Sequence, residues 1–352
     1  MRVVFVIGSF PPCACGAEEY TVLLSEALRQ IGVEANIVAA GKWKAFDVGR
    51  LIQEISELYP DVVHIQYPTM GYRYPTTGYR KSLLPQALTT LMPKVPVLTT
   101  VHEFSQTHFL RRASNLPFSL FGRTLIFTSE YERRRFLSWF PWAAKRSLVI
   151  PIGNNIPFFL GSVERDPLKV VHFGLIRPKK GLEDFLQLAK LAKDAGRPYR
   201  FTVVGEPVPR FRSYLENMRE GSSELPVEWK MGLSANEVSQ FLAHSRFAYA
   251  PLPDGASKRR GSLLAALGNG AVVITTKGSQ TPRELDEIVR FAVDPSQALE
   301  LLDELTADTS QADTLSSKAR EYAAHFSWPN ISGAHLRVYE QILRNESVEL
   351  DR

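Results

Sequence analysis

Three consecutive cations, Lys258, Arg259 and Arg260, precede a short apolar helix in DGASKRRGSLLAALGNG, residues 254–270, and the strand-like AVVITT follows. A loop that leaves a strand and opens a helix is where α/β proteins hold anions. The first N–H groups of the helix are unpaired there, and its dipole is positive. Cations in the same place sharpen that potential unless an anion joins them. Arginine offers the paired geometry that phosphate oxygens fit, while lysine acts as a point charge. Ser262, in the first turn of the helix, joins the three as a candidate ligand.

The pattern recurs in HFGLIRPKKGLEDFLQLAKLA, residues 172–192. A strand ends at Gly174, the loop carries Arg177, Lys179 and Lys180, and Gly181 leads into an amphipathic helix. Both basic loops fall in the second half of the chain and are expected to meet on one diphosphate. Gly205 closes a further strand, YRFTVVG, in the same half. In the first half, GSFPPCACGAEEYTVLL ends a strand at Gly8 and opens a helix at Gly16, where a small residue lets backbone N–H groups approach an anion or substrate. TVHEF puts His102 at the end of another strand. His172, His325 and His335 read as structural, whereas His64 in VVHIQYP reads either way.

The elements that must position these residues repeat regularly. Short β-branched runs occur at 3–8, 34–40, 61–68, 95–102, 124–129 and 147–153. A second set follows at 169–174, 199–205, 227–232, 247–252, 271–276 and 289–294, with helical stretches between. Strands that are apolar throughout, each followed by a helix, predict parallel sheets covered on both faces. Two such runs in 352 residues predict two doubly wound α/β domains with a cleft between them and ligands at the carboxyl ends of the strands. The polar stretch GNNIPFFLGSVERDPLK, 153–169, reads as the linker. The boundaries expected are 1–155 and 156–327, and a helix over 328–345 is expected to cross back onto the first domain.

Composition narrows the partners. A net charge of +5, from 42 basic and 37 acidic residues, suits an acidic small molecule or loose contact with an anionic membrane, and none of the nucleic-acid motifs is present. No apolar run reaches the roughly 18–20 residues of a membrane span. Cys13 and Cys15 are too close for an easy disulfide and too few for zinc, which fits a reducing cytoplasm.

Taken in order, these motifs resemble the retaining glycosyltransferases of family 4, which have the GT-B fold of two facing Rossmann-like domains. GAEEYTVLLSEAL is similar to the family's first loop and helix, and DVVHIQYP, TVHEF and FTSEYERRRF to its strand ends in the first domain. VIPIGN resembles the interdomain segment, GLIRPKKG the donor-phosphate loop, and FSWPNISGAHLRVYEQIL the closing helix. The resemblance implies transfer of a hexose from a UDP- or GDP-linked donor to an acceptor hydroxyl, with retention of configuration. It puts Lys180 on the diphosphate with Arg177 assisting, Gly16 near phosphate or acceptor, and His102 beside the sugar ring. Lys180, Arg259 and Arg260 would stabilise charge on the leaving diphosphate, so no metal and no separate cofactor is expected.

One departure is plain. The family's two glutamates, with seven residues between them, fall on Ser257 and Ala265, so both carboxylates are missing; Asp254, three residues upstream of Ser257, is the nearest acid. A non-catalytic nucleotide-sugar binding protein and a nucleotide-sugar epimerase of the same fold are the alternative readings. The loops 71–82 and 102–114, rich in Tyr, Arg and hydroxyls, suit a saccharide, lipid-linked or small-molecule acceptor. YERRRFLSWFPWAAKRS, 131–147, mixes arginines with Phe136, Trp139, Phe140 and Trp142. It reads as core-facing aromatics with solvated arginines, or as a peripheral contact with the inner face of the membrane.

Overall fold

The computed structural model describes residues 1–8, 16–39, 48–69, 83–92, 94–105, 107–159, 161, 163–258, 260–279 and 281–346. The chain divides into two compact units, Met1–Gly153 with Trp328–Arg352, and Asn154–Ser327.

The first unit runs β1 (Arg2–Ile7), α1 (Gly16–Gln30), β2 (Glu34–Ala39), α2 (Val48–Glu57), β3 (Val62–Tyr67), α3 (Leu84–Leu91), β4 (Val97–Val101), α4 (Phe109–Ala113), α5 (Leu116–Phe121), β5 (Thr124–Phe127), α6 (Glu130–Leu137) and β6 (Ser147–Val149). The strands form one sheet in the order β2-β1-β3-β4-β5-β6, every pairing parallel. Because strand side chains alternate between faces, Val4 and Val6 enter a cluster with Leu51, Ile55 and Phe136, whereas Val3 and Phe5 pack with Leu24 and Leu28 on the other face.

The second unit runs β7 (Asp166–Phe173), α7 (Leu182–Asp194), β8 (Arg200–Gly205), α8 (Arg212–Gly221), β9 (Val227–Met231), α9 (Ala235–Ala243), β10 (Ser245–Ala250), α10 (Gly261–Gly268), β11 (Val272–Thr275), β12 (Arg290–Phe291), α11 (Pro295–Ala307) and α12 (Thr309–Ala324). Its parallel sheet has the order β12-β11-β10-β7-β8-β9. One face packs Val170, Phe201 and Phe247 against Phe185 and Leu302; the other packs Val171, Ala248 and Val273 against Leu242, Leu263 and Ala319.

The last helix, α13 (Trp328–Leu343), belongs to the first unit. It sets Ile331, Val338, Tyr339 and Ile342 into the cluster that holds Phe5 and Leu24. The expected linker is shorter than its polar composition suggested, because Asp166–Lys169 already form the start of β7. Asp166 N–H bonds the His244 carbonyl at 3.0 Å, which pairs that polar stretch despite its sequence.

Candidate functional site

In the second sheet, β8 and β9 lie to one side of β7, and β10, β11 and β12 to the other. The chain reverses its direction of winding between β7 and β10, and loops leaving two such strands diverge to form a ligand crevice. The two basic loops are the ones that leave β7 and β10.

Close backbone contacts hold the ends of these strands. A Cβ on Gly205 would overlap the Gly174 carbonyl oxygen, so β7 and β8 end in direct backbone contact. A Cβ on Gly174 would stand 3.8 Å from Cβ of Ser262, which places the end of β7 against the first turn of α10. Gly181 adopts φ +80°, and a Cβ there would overlap the Pro251 carbonyl oxygen at the end of β10. The two loops are thus tied together by a glycine that no other residue replaces without strain. Gly174, Gly205 and Ser262 meet at one place, as three of the candidates named from sequence.

The charges meet there too. The Lys180 amine is held below the ordinary lysine range, first by burial, then by repulsion from Arg260 and Arg177, with Asp254 pulling the other way. Three cations therefore share a field with one carboxylate. That carboxylate is on Arg260, 3.0 Å from its guanidinium, and is itself 87% exposed. Lys179 has φ +62° and points to solvent, so of two adjacent lysines only Lys180 turns inward. Lys258 goes elsewhere, to Glu284 at 3.0 Å. Arg259 lies outside the described residues.

The helix ends sharpen the imbalance. α9, α11 and α12 are capped by the side chains of Ser234, Asp294 and Asp308. α7 and α10, which leave the switch point, have no side-chain cap, and neither does α8. α7 still carries Glu183 and Asp184 in its first turn, whereas α10 has no acid there and Arg260 at its N-cap. A positive helix end beside three cations is an electrostatic position that a multivalent anion relieves.

Positions 257 and 265 hold no carboxylate. Ser257 is half-buried and accepts the Arg260 N–H at 3.1 Å through its carbonyl; Ala265 is fully buried in the cluster with Leu263 and Leu267. An acid at 265 would have to displace that packing.

In the first unit, His102 follows β4 and is 6% exposed. Its backbone N–H bonds the Tyr67 carbonyl at 2.9 Å, its Nε2 lies 2.8 Å from Gln66 Oε1, and Tyr20 of α1 meets it edge-on at 5.3 Å between ring centroids. Gly16 begins α1; among the described residues a Cβ there would meet nothing within 4 Å, so packing does not demand a glycine. Cys13, Cys15 and the acceptor loop 71–82 lie outside the described residues.

The basic aromatic stretch divides by residue type. Phe136 and Phe140 are core residues, while Trp139 and Trp142 are 38% and 51% exposed. Arg133 and Arg134 pair with Glu130, and Arg146 donates to the Ser119 and Gly122 carbonyls. Trp142 bonds Ser119 Oγ at 3.3 Å, which sets it beside α5, whose Leu120 and Phe121 are also exposed. Among the described residues no helix is long and apolar enough to cross a membrane.

No protein-family model matches the sequence, and no curated protein is detectably similar to it in sequence. Solved structures do match over almost the full length. A glycosyltransferase from Rickettsia africae is 15% identical with a TM-score of 0.73, covering 98% of this chain and 99% of its own. HepE of Anabaena in complex with UDP is 14% identical with a TM-score of 0.69, covering 97% and 100%. The sucrose-phosphate synthase of Thermosynechococcus elongatus is 15% identical with a TM-score of 0.69, covering 98% and 100%. The chain has the GT-B fold that these proteins share, with two Rossmann-like units in one polypeptide.

Proposed function

We propose that this chain is a glycosyltransferase that moves a hexose from a UDP- or GDP-linked sugar to an acceptor hydroxyl with retention of configuration. The observation that carries it is the meeting of Lys180, Arg177 and Arg260 between two tied loops at the switch point of the second sheet. A diphosphate supplies the anion that this cluster lacks. Glycosyltransferases of the same fold, one of them seen with UDP-glucose, support the choice of a nucleotide sugar as its source.

In the reaction the acceptor oxygen bonds to the anomeric carbon as the bond from that carbon to the diphosphate breaks. The acceptor's proton passes to the leaving phosphate oxygen on the same face, so no protein carboxylate is needed as base. The negative charge that grows on the diphosphate meets Lys180, Arg177, Arg260 and the free N–H groups of α10, all fixed before reaction. On the family resemblance, His102 orients the sugar ring. The acceptor is a saccharide or a lipid-linked hydroxyl.

A thermal-shift titration with UDP and GDP tests the reading. A ligand at about 100 times its Kd adds roughly 2.7 kcal/mol to stability, so one of the two should raise the melting temperature, and its hexose conjugate should be consumed. Binding without consumption would leave a binding protein, and no shift with either nucleotide would overturn the proposal.

The same reading includes a peripheral contact with an anionic bilayer through Leu120, Phe121 and Trp142, with Arg123 and Lys145 exposed nearby in sequence. Apolar side chains flanked by cations suit a surface of acidic lipid headgroups. The protein is expected to sediment with phosphatidylglycerol vesicles at low salt and to lose that binding in the Phe121→Ser, Trp142→Ser double variant. Equal sedimentation of wild type and variant would rule the patch out.

A further inference from the structure

A chain of buried hydrogen bonds runs inward from His102. Gln66 and His64 are two apart on β3 and so point to the same face. Gln66 Oε1 lies 2.8 Å from His102 Nε2, and Gln66 Nε2 lies 3.2 Å from His64 Nε2. Thr100 Oγ1 on the adjoining β4 is 2.7 Å from that same His64 nitrogen. The other His64 nitrogen, Nδ1, lies 2.8 Å from Tyr339 Oη, which α13 brings from 275 residues away. His64, Gln66, Thr100 and Tyr339 are all fully buried.

The orientation of the Gln66 amide, oxygen toward His102 and nitrogen toward His64, sets where the protons are. In that orientation the oxygen only accepts, so His102 carries a proton on Nε2 and donates it to Gln66 Oε1. The Gln66 amide N–H then donates to His64 Nε2, which must be bare, and His64 donates from Nδ1 to Tyr339. His64 stays neutral throughout, because burial, and then repulsion from His335 and His102, hold it well below the usual imidazole range. Every donor in the chain points away from His102.

We infer that Gln66, His64 and Tyr339 form a positioning relay that locks His102 as the neutral Nε2–H tautomer, so that its Nδ1 acts as a hydrogen-bond acceptor. Which nitrogen of a histidine carries the proton follows from the bond the other makes. On the reading of the previous section, on which this inference rests, the group that His102 meets on the sugar must be a donor. A hydroxyl or amine hydrogen satisfies it; a carboxylate or keto oxygen does not. The relay therefore favours hexoses over uronic acids at that contact.

Long-range 1H–15N correlation spectra of the full chain, labelled in histidine, test this without any substitution; a His102→Gln sample assigns the signal. The wild type at pH 8 should show His102 with a protonated Nε2 and a bare Nδ1. Gln66→Met should turn this into a mixture of both tautomers. It should also lower sugar transfer about tenfold, the worth of one neutral hydrogen bond. Tyr339→Phe, which removes only the last oxygen, provides a second and milder variant in which His102 shifts the same way. A wild-type His102 protonated on Nδ1 would overturn the inference, since it needs the Gln66 amide reversed and Tyr339 donating to His64. An unchanged tautomer in Gln66→Met would overturn it as well. The spectra do not depend on turnover: an inactive chain with the expected tautomer defeats the transferase reading alone, and an active chain with the other tautomer defeats the relay alone.

Discussion

Lys180→Ala should lower the transfer rate by roughly 10²–10³-fold, the usual cost of removing one fixed group that stabilises charge in a transition state. The free protein should be no less stable for the change. Lys180 is a half-buried cation that Arg260 and Arg177 repel, so its removal relieves the ligand-free fold. Activity and stability therefore move in opposite directions, which distinguishes a ligand-holding cation from a structural one. The pH dependence follows from the same shift. With its folded-state value depressed, the amine loses its proton below the ordinary lysine range, and diphosphate binding should weaken as pH rises through that window. The free fold behaves oppositely: the penalty of the unpaired cation is complete at neutral pH and lifts as pH climbs toward the unfolded-state value near 10.5. Melting curves of wild type and Lys180→Ala, with and without UDP and GDP between pH 7 and 10, read both effects. A wild type and a variant with the same nucleotide-induced shift would place the diphosphate elsewhere.

The second large effect falls on stability. Gly181→Ala must put a methyl group onto the Pro251 carbonyl oxygen from a backbone at φ +80°. Left-handed backbone alone costs an alanine about 1–2 kcal/mol, and moving the end of β10 brings the total to roughly 3–4 kcal/mol. In a unit of this size that lowers the melting temperature by about 10 °C. Gly16→Ala makes the contrast: nothing described crowds that position, so the second substitution should leave the melting curve in place. A Gly181→Ala protein melting with the wild type would show that the two loops are not tied as described.

The central strands were legible in the sequence, because a strand buried on both faces is an unbroken apolar run and needs no distant partner to be recognised; the less buried β2 and β9, which carry Glu34 and Glu228, were legible from their alternation with helical stretches. VVFVIG gives β1 and AVVITT gives β11 to within a residue or two at each end. β7 is the exception at its start: DPLK looks like linker, and it becomes strand through the bond from Asp166 N–H to the carbonyl of His244, just before β10, and the pairing of Lys169 with Arg200 of β8. The site was legible as residue types but not as partners. Three adjacent cations in KRR look equivalent, yet Lys258 turns to Glu284 and Arg260 to Asp254, which depends on where β11 and the following turn bring Glu284. Lys179 and Lys180 differ only through a backbone angle. His64 stayed ambiguous for the same reason, since its deciding partner, Tyr339, sits near the other end of the chain.

The first unit is also discontinuous in time. A ribosome releases Met1–Gly153, then makes the whole of Asn154–Ser327, and only afterwards adds the helix that carries Tyr339. At about 5–20 residues per second, the face holding Phe5 and Leu24 waits roughly 10–35 s for its cover. Through that interval the nascent first unit exposes an apolar face to chaperones, and the His102 relay lacks its last member. A nonsense codon anywhere before Trp328 thus spoils the beginning of the protein as well as its end.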